Sequence, residues 1–292
     1  MNAQDWYELG TYHSVNQHQV FVIDTDKNNS LKLPVLCILH GFPTSSYDYW
    51  KALPTLQQYF RVIVHDHLGF GYSDKPKNYS YSLFEQTDVA QKLWQQLGIN
   101  ECFVLAHDYG TSVLTEILAR DNSGEFPIKI NKIALCNGSM HIEMAQLLVM
   151  QKLLRSPIGG LIANLSSKNT VRKNLRKIFV DPSQLPDKEV DAIWEMMNFN
   201  QGKKVLAKIS RYTFERQRYW DRWIGALQIT DLPIEIIWPD KDLIAVALMA
   251  TTIKNETKNS QLTWLHELGH FPMLEAPKLW ANTVIQRLVT KF

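Results

Sequence analysis

Ala106-His107-Asp108-Tyr109-Gly110 decides the fold of this chain. The five residues follow an apolar run, ECFVLA at 101–106, and lead into a helical pattern at 110–119, so they link a strand to a helix. Small residues stand two before and two after the central one. Such a link turns so sharply that only small flanks fit, and it exposes the central side chain above a sheet at a helix N-terminus. Here that side chain is a carboxylate, which needs no deprotonation at neutral pH and attacks carbon directly to give an alkyl ester. A serine in its place would give an acyl-enzyme. No G-x-S-x-G occurs in the chain, and Asn137-Gly138-Ser139-Met140-His141 lacks the flanks, so a serine esterase has no nucleophile here.

The sequence on either side keeps a strand and helix rhythm. Alternating segments at 11–15 and 19–24 predict a hairpin. Short apolar runs at 33–39, 61–65, 101–106, 132–136, 234–238 and 261–265 predict strands buried on both faces of a parallel sheet. Amphipathic patterns at 82–97, 110–119 and 277–288 predict covering helices, the first stopped by Gly98 and the last carrying Pro in its first turn. The expected fold class is α/β, a mostly parallel eight-stranded sheet flanked by helices. Almost a hundred residues between 136 and 234 hold no strand pattern and read as helical. They predict an inserted helical cap over 139–222, with 1–138 and 223–292 forming the core domain. Charge separates the two parts: residues 139–222 hold 15 Lys/Arg and 8 Asp/Glu, a net of +7, and the remainder carries −5. The densest basic part, Lys168, Arg172, Lys173, Arg176 and Lys177, has helical spacing and reads first as a solvated helix face, with attraction of an anionic substrate or partner as the other reading.

With 292 residues, 45% of them hydrophobic and 21% charged, the chain has the profile of an ordered globular protein. A net charge of +2 argues against a dedicated nucleic-acid binder. No basic segment followed by an apolar run opens the sequence, and no uninterrupted apolar stretch reaches the roughly 18 residues a bilayer span needs, so stable membrane insertion is not expected. The run AQLLVMQKLL at 145–154 reads as a helix packed over the core. Cys37, Cys102 and Cys136 sit inside apolar runs and are expected as buried, reduced thiols in a cytoplasmic setting. No CxxC or HExxH spacing exists, so neither a metal nor a cofactor is expected. The G-x-G at 69–71 lacks the third glycine of a dinucleotide site and reads as a turn.

An ester intermediate needs a base to activate water. His266 and His270 both follow the last strand. His270, after Gly269 in the loop beyond the strand's carboxyl end, is the better placed. The acid that orients it should follow the preceding strand, where Asp242 lies farther into the loop than the alternative, Asp240. The order Asp108, Asp242, His270 is the nucleophile, acid, histidine order that accompanies this turn. Charge developing on the Asp108 carbonyl oxygen needs two donors, for which the Tyr109 N–H and the Phe42 N–H in His40-Gly41-Phe42-Pro43 are the candidates. His40 and His107 read as structural imidazoles. Aromatic residues of the cap, Trp194 and Tyr219 among them, and Phe271 are expected to line the substrate pocket.

HGFPTSSYDYW at 40–50, DHLGFGYSDKP at 66–76, AHDYG at 106–110 and GHFPMLEAP at 269–277, in this order, resemble the α/β-hydrolase fold and within it the aspartate-nucleophile group of epoxide hydrolases and haloalkane dehalogenases. FEQ at 84–86 and the RW-x-GAL run at 222–227 make the chain similar to the mesoderm-specific transcript family and bacterial relatives. The resemblance implies a cofactor-independent hydrolase acting with water on a small apolar organic substrate, epoxide hydrolase-like in the first place. A haloalkane dehalogenase-like hydrolase, or a binding protein that keeps the fold, are the alternatives, and the oligomeric state stays open. Dehalogenases place Trp after the nucleophile and Asn after the HG pair, where this chain has Tyr109 and Phe42. Fluoroacetate-type enzymes place Arg beside the nucleophile and three residues on, where it has Tyr109 and Ser112. A cap tryptophan, Trp194 or Trp220, is what a dehalogenase reading would enlist instead. Epoxide hydrolases protonate the epoxide oxygen with cap tyrosines. Tyr212 is similar in placement to one of these, no tyrosine lies between residues 110 and 211 to match the other, and Tyr219 is the remaining alternative.

Overall fold

A computed structural model describes residues 1–289. Its centre is one eight-stranded sheet: β1 (Thr11–Val15), β2 (His18–Asp24), β3 (Val35–Leu39), β4 (Arg61–His65), β5 (Glu101–His107), β6 (Lys129–Cys136), β7 (Ile234–Pro239) and β8 (Ser260–Leu265), in the order β1-β2-β4-β3-β5-β6-β7-β8. β1 and β2 pair antiparallel, β2 runs antiparallel to β4, and every other pairing is parallel. The middle strands are continuous apolar runs because helices cover both faces. Thus VLCIL in β3 and VIVH in β4 are buried almost throughout. The three cysteines, Cys37, Cys102 and Cys136, are free and buried in this core.

The strands match their sequence patterns to within three residues, the largest difference being β6, which starts at Lys129 because its first residues pair with the polar start of β5. Several short helices escape the periodicity. α1 (Ala3–Leu9) is seven residues long, shorter than a pattern window. A reciprocal Asn2–Asp5 capping box starts it, and buried Trp6, whose Nε1 donates to Ser46 Oγ at 3.1 Å, anchors it. The expected helices are α2 (Leu83–Gln96) and α3 (Tyr109–Asn122), which flank the central strands.

The strand-free interval folds as seven helices: α4 (Val149–Leu154), α5 (Gly159–Leu165), α6 (Lys168–Arg176), α7 (Asp187–Asn198), α8 (Lys203–Ile209), α9 (Tyr212–Arg218) and α10 (Trp220–Ile229). The inferred return to the core at residue 223 lies inside α10, which packs along α3. α11 (Ala247–Glu256), whose mixed sequence hides any stripe, and α12 (Pro277–Val289) complete the outer layer. Among the described residues no helix is long and apolar enough to cross a membrane.

Glu116 of α3 ties α10 to the layer beside the sheet. Its buried carboxylate accepts from Arg222 Nε at 2.7 Å, Trp223 Nε1 at 2.8 Å and Arg120 Nε at 2.9 Å. Burial pushes its pKa up, but these donors outweigh burial and hold it below the usual Glu range. The contribution is present above the unfolded-state pKa and is lost as pH falls through the depressed folded one. Glu116→Gln is expected to cost about 2 kcal/mol at neutral pH, because two guanidinium groups lose a carboxylate. Urea unfolding at pH 7 measures this, and a change near zero would show that the network holds nothing together.

Candidate active site

The turn between β5 and α3 puts Asp108 at φ 47° and ψ −110°, a strained left-handed conformation for a non-glycine residue. Neighbours hold it there. The Asp108 N–H donates to Cys136 O at 3.2 Å, and its carbonyl accepts from Thr111 Oγ1 at 2.6 Å and from Arg216 Nη2 at 3.1 Å. A Cβ at Gly110 would lie 2.2 Å from Leu39 O, so the helix enters this tightly only with glycine there. Gly41 has the same need from the other side, since a Cβ would meet His107 Nδ1 at 2.8 Å and Asp108 Cβ at 3.0 Å.

That close approach brings the Phe42 N–H to Asp108 Oδ2 at 2.9 Å. Among the described residues Oδ1 accepts no hydrogen bond. The Tyr109 N–H stands at the first position of α3, where no intrahelical acceptor exists. A buried carboxylate with one oxygen anchored by an N–H and the other without a partner among the described residues can use the second on an electrophile.

His270, in the loop after β8, is buried, and its Nδ1 meets Asp242 Oδ2 at 2.7 Å. Asp242 also accepts from Asn137 Nδ2 at 2.6 Å, Ile244 N at 2.7 Å and Ala245 N at 3.1 Å. Burial alone would raise the Asp242 pKa, but His270 and these donors bring it below the usual carboxylate range. Burial likewise disfavours a charged His270, yet Asp242, then Asp108 and Asp48, more than compensate and raise its pKa to about 9. The other deep imidazoles go the opposite way. Burial lowers His40 and His107 to about 4 and His65 to about 3. His40 supports the turn by accepting the His67 N–H at 3.0 Å, and His107 Nε2 contacts His270 O at 2.8 Å.

The two alternatives, Asp240 and His266, find each other instead. Their side chains pair at 3.0 Å on an exposed face, where Asp240 also accepts the Glu267 N–H at 2.8 Å. Asp242→Asn is therefore expected to cut turnover by about 10³-fold or more, as wrong tautomers do, while Asp240→Asn stays within a few-fold of wild type. Steady-state kinetics of both variants test this, and equal losses would reverse the choice.

Tyr212 reaches over this centre from α9. It is buried, its ring centroid 4.9 Å from Tyr109 and 6.0 Å from Phe42, with the Arg216 guanidinium 4.7 Å above it. Burial and then the Asp108 charge push its phenol above the ordinary range, while Arg216 and Arg155 pull it back. Beside Phe42 lies a cavity of ≈ 70 Å³, lined by Leu148, Met150, Leu154, Val171, Leu175 and Met197 among others. The two cap aromatics expected there are elsewhere. Tyr219, ending α9, packs on Phe84 and Trp223, and Trp194 lies under Lys203 Nζ at 5.0 Å. Phe271 stays close, between His270, His107 and a stacked Phe179. Two residues at the site carry no motif in the sequence: Asn137, which fixes Asp242, and Arg216, buried with bonds to Ser112 Oγ and Asp108 O and with no ion pair among the described residues. The only sequence signal for Asn137 is the Asn-Gly turn directly after an apolar strand. Among the described residues no group of three or more His, Cys, Asp or Glu is arranged to hold a metal ion.

The profile of the alpha/beta hydrolase fold family matches residues 34–277. The chain belongs to the α/β-hydrolase family. This hydrolase is 34% identical over 288 residues to LipZ of Mycobacterium tuberculosis, covering 99% of this chain and 98% of that one. It is 32% identical over 258 residues to the mesoderm-specific transcript protein of Mus musculus, covering 85% and 76%. Among solved structures, haloalkane dehalogenase DbeA from Bradyrhizobium elkani shares its fold, with a TM-score of 0.80 at 20% identity and coverage of 96% and 97%.

Proposed function

We propose that this α/β-hydrolase opens epoxides through a covalent ester. The observation that carries the reading is the packing of the Tyr212 ring edge-on to Tyr109 and tilted against Phe42, the two residues proposed to supply N–H groups to Asp108. Asp108 Oδ1 attacks a ring carbon, the C–O bond breaks, and the departing oxygen takes the Tyr212 proton. Asp108 loses its charge as the bond forms, so the effect that holds the phenol proton weakens at the moment it must leave. Water, giving a proton to His270, then adds to the Asp108 carbonyl carbon while the Phe42 and Tyr109 N–H groups hold the oxyanion. Collapse releases a diol and restores the carboxylate, and the His270 proton returns to Tyr212 through solvent.

A haloalkane reading needs N–H donors for a departing halide. Trp194 lies under Lys203, and Trp220 Nε1 donates to Glu143 at 3.1 Å. The Trp220 N–H is thus already engaged.

The test is a panel of small epoxides and haloalkanes given to wild type and Tyr212→Phe. Epoxide opening by wild type and a loss of about 10²–10⁴-fold in the variant are expected, the usual range for a removed general acid. Turnover of haloalkanes that is indifferent to Tyr212→Phe, with no epoxide consumed, would replace the epoxide reading by the dehalogenase one.

A further inference from the structure

Residues 144–180 contain seven Lys/Arg and not one Asp or Glu. The same stretch forms α4, α5 and α6 and carries large apolar side chains in water: Val149 is 73% exposed, Leu165 72%, Leu161 59% and Ile158 55%. The arrangement on α5 is one-sided. Gly159 and Ala163 are buried, and α5 packs against α8, so positions 158, 161 and 165 form the opposite, outward stripe. Basic residues accompany it. Lys168, Arg172 and Arg176 turn toward Asp191 and Asp187 of α7, whereas exposed Lys152, Lys173 and Lys177 make no ion pair among the described residues.

Water alone explains neither half of this pattern. A solvated helix face needs no row of exposed leucines, and a patch meant for an apolar protein surface gains nothing from a stretch emptied of acids. Apolar side chains that enter the acyl boundary, with cations at headgroup level, are what an interfacial surface requires. We propose that the face formed by residues 148–177 docks this hydrolase peripherally on an anionic lipid bilayer. Ile158, Leu161, Leu165 and Val149 enter the boundary, and Lys152, Lys173 and Lys177 meet the lipid phosphates. Leu148, Met150, Leu154, Val171 and Leu175 of the same stretch line the cavity beside Phe42, so docking sets that cavity next to a phase in which apolar substrates concentrate. The docking does not depend on which substrate Asp108 attacks.

Flotation of the full chain with vesicles decides it, using phosphatidylcholine alone and phosphatidylcholine in which about a third of the lipid is phosphatidylglycerol. Binding at least about tenfold stronger to the anionic vesicles is expected, falling steeply with added salt as the charges are screened. Leu161→Ser with Leu165→Ser, and separately Lys173→Glu with Lys177→Glu, should each lose about tenfold in binding while keeping the wild-type melting temperature, since all four side chains are on the surface. No flotation with either vesicle, equal flotation with both, or variants that bind like wild type would overturn the proposal. So would light scattering showing that the leucine variant abolishes a dimer rather than lipid binding.

Discussion

His270→Gln is expected to stop the reaction at an alkyl ester on Asp108 and to leave that ester in place long enough to weigh. Glutamine resembles the imidazole in size but accepts no proton near neutral pH. Esterification uses the Asp108 carboxylate and the Tyr212 proton, and the carboxylate is set by Phe42, Thr111 and Arg216 rather than by the histidine. The first step therefore survives and the second does not. Turnover should fall by about 10³-fold or more, with one substrate equivalent bound per chain. Intact mass followed by peptide mapping should find a substrate-sized increase on the peptide that contains Asp108. The substrate that wild type consumes and the variant retains would also name the reaction class. If the folded variant shows no adduct with a substrate that wild type hydrolyses, the covalent route is wrong and Asp108 acts only through its charge.

What the sequence makes legible at this site is what local sterics determine. Ala106 and Gly110 flank Asp108 because the turn admits nothing larger, and the 2.2 Å clash a Cβ would make at Gly110 is that rule seen in coordinates. The β7 and β8 loops are legible for a similar reason: in a parallel sheet, residues just past the strands' carboxyl ends meet over one edge. Loop position even narrows Asp240 against Asp242, and the two Asp–His pairs separate into one exposed and one buried. The helical interval between β6 and β7 is where this reasoning ends. Its helices are six to twelve residues long, and nothing in their pattern tells which side faces the core. Trp194 and Tyr219 are aromatic and in the right interval, yet they turn to Lys203 and to Phe84. Arg216 was invisible because its partners, Ser112 and Asp108, lie 104 and 108 residues away in sequence. Asn137 acquires its role only when β6 and β7 lie side by side.

The raised pKa of His270 carries the second large effect, because a base that is protonated at pH 7 is the wrong starting form for accepting a proton. With a value of about 9 the free enzyme holds His270 as imidazolium between Asp242 and Asp108. This suits the first step, where the cation sits beside a carboxylate that is to remain ionised. Esterification then removes the Asp108 charge. Asp242 remains, and Asp48, whose pKa burial pushes up and whose carboxyl Thr44 holds, contributes less to the His270 shift than Asp108 does. The imidazolium thus loses one of the carboxylates that sustained it against burial, its pKa falls, and a neutral base forms where water must be activated. Asp108→Asn reproduces the ester's loss of charge without substrate. In this variant the His270 titration, followed by NMR of its ring protons, is expected to move down from about 9 toward its ordinary value of 6.5. The same shift governs stability. A folded pKa above the unfolded one stabilises fully below pH 6.5, and that contribution disappears as pH rises through about 9 in wild type. In Asp108→Asn the contribution should be smaller and its loss complete at lower pH, so the melting temperatures of the two proteins should respond differently to pH between 6.5 and 9. A His270 titration that stays put or rises in Asp108→Asn would mean that Asp242 alone sets it. The gating of the base by the state of the nucleophile would then have no physical basis.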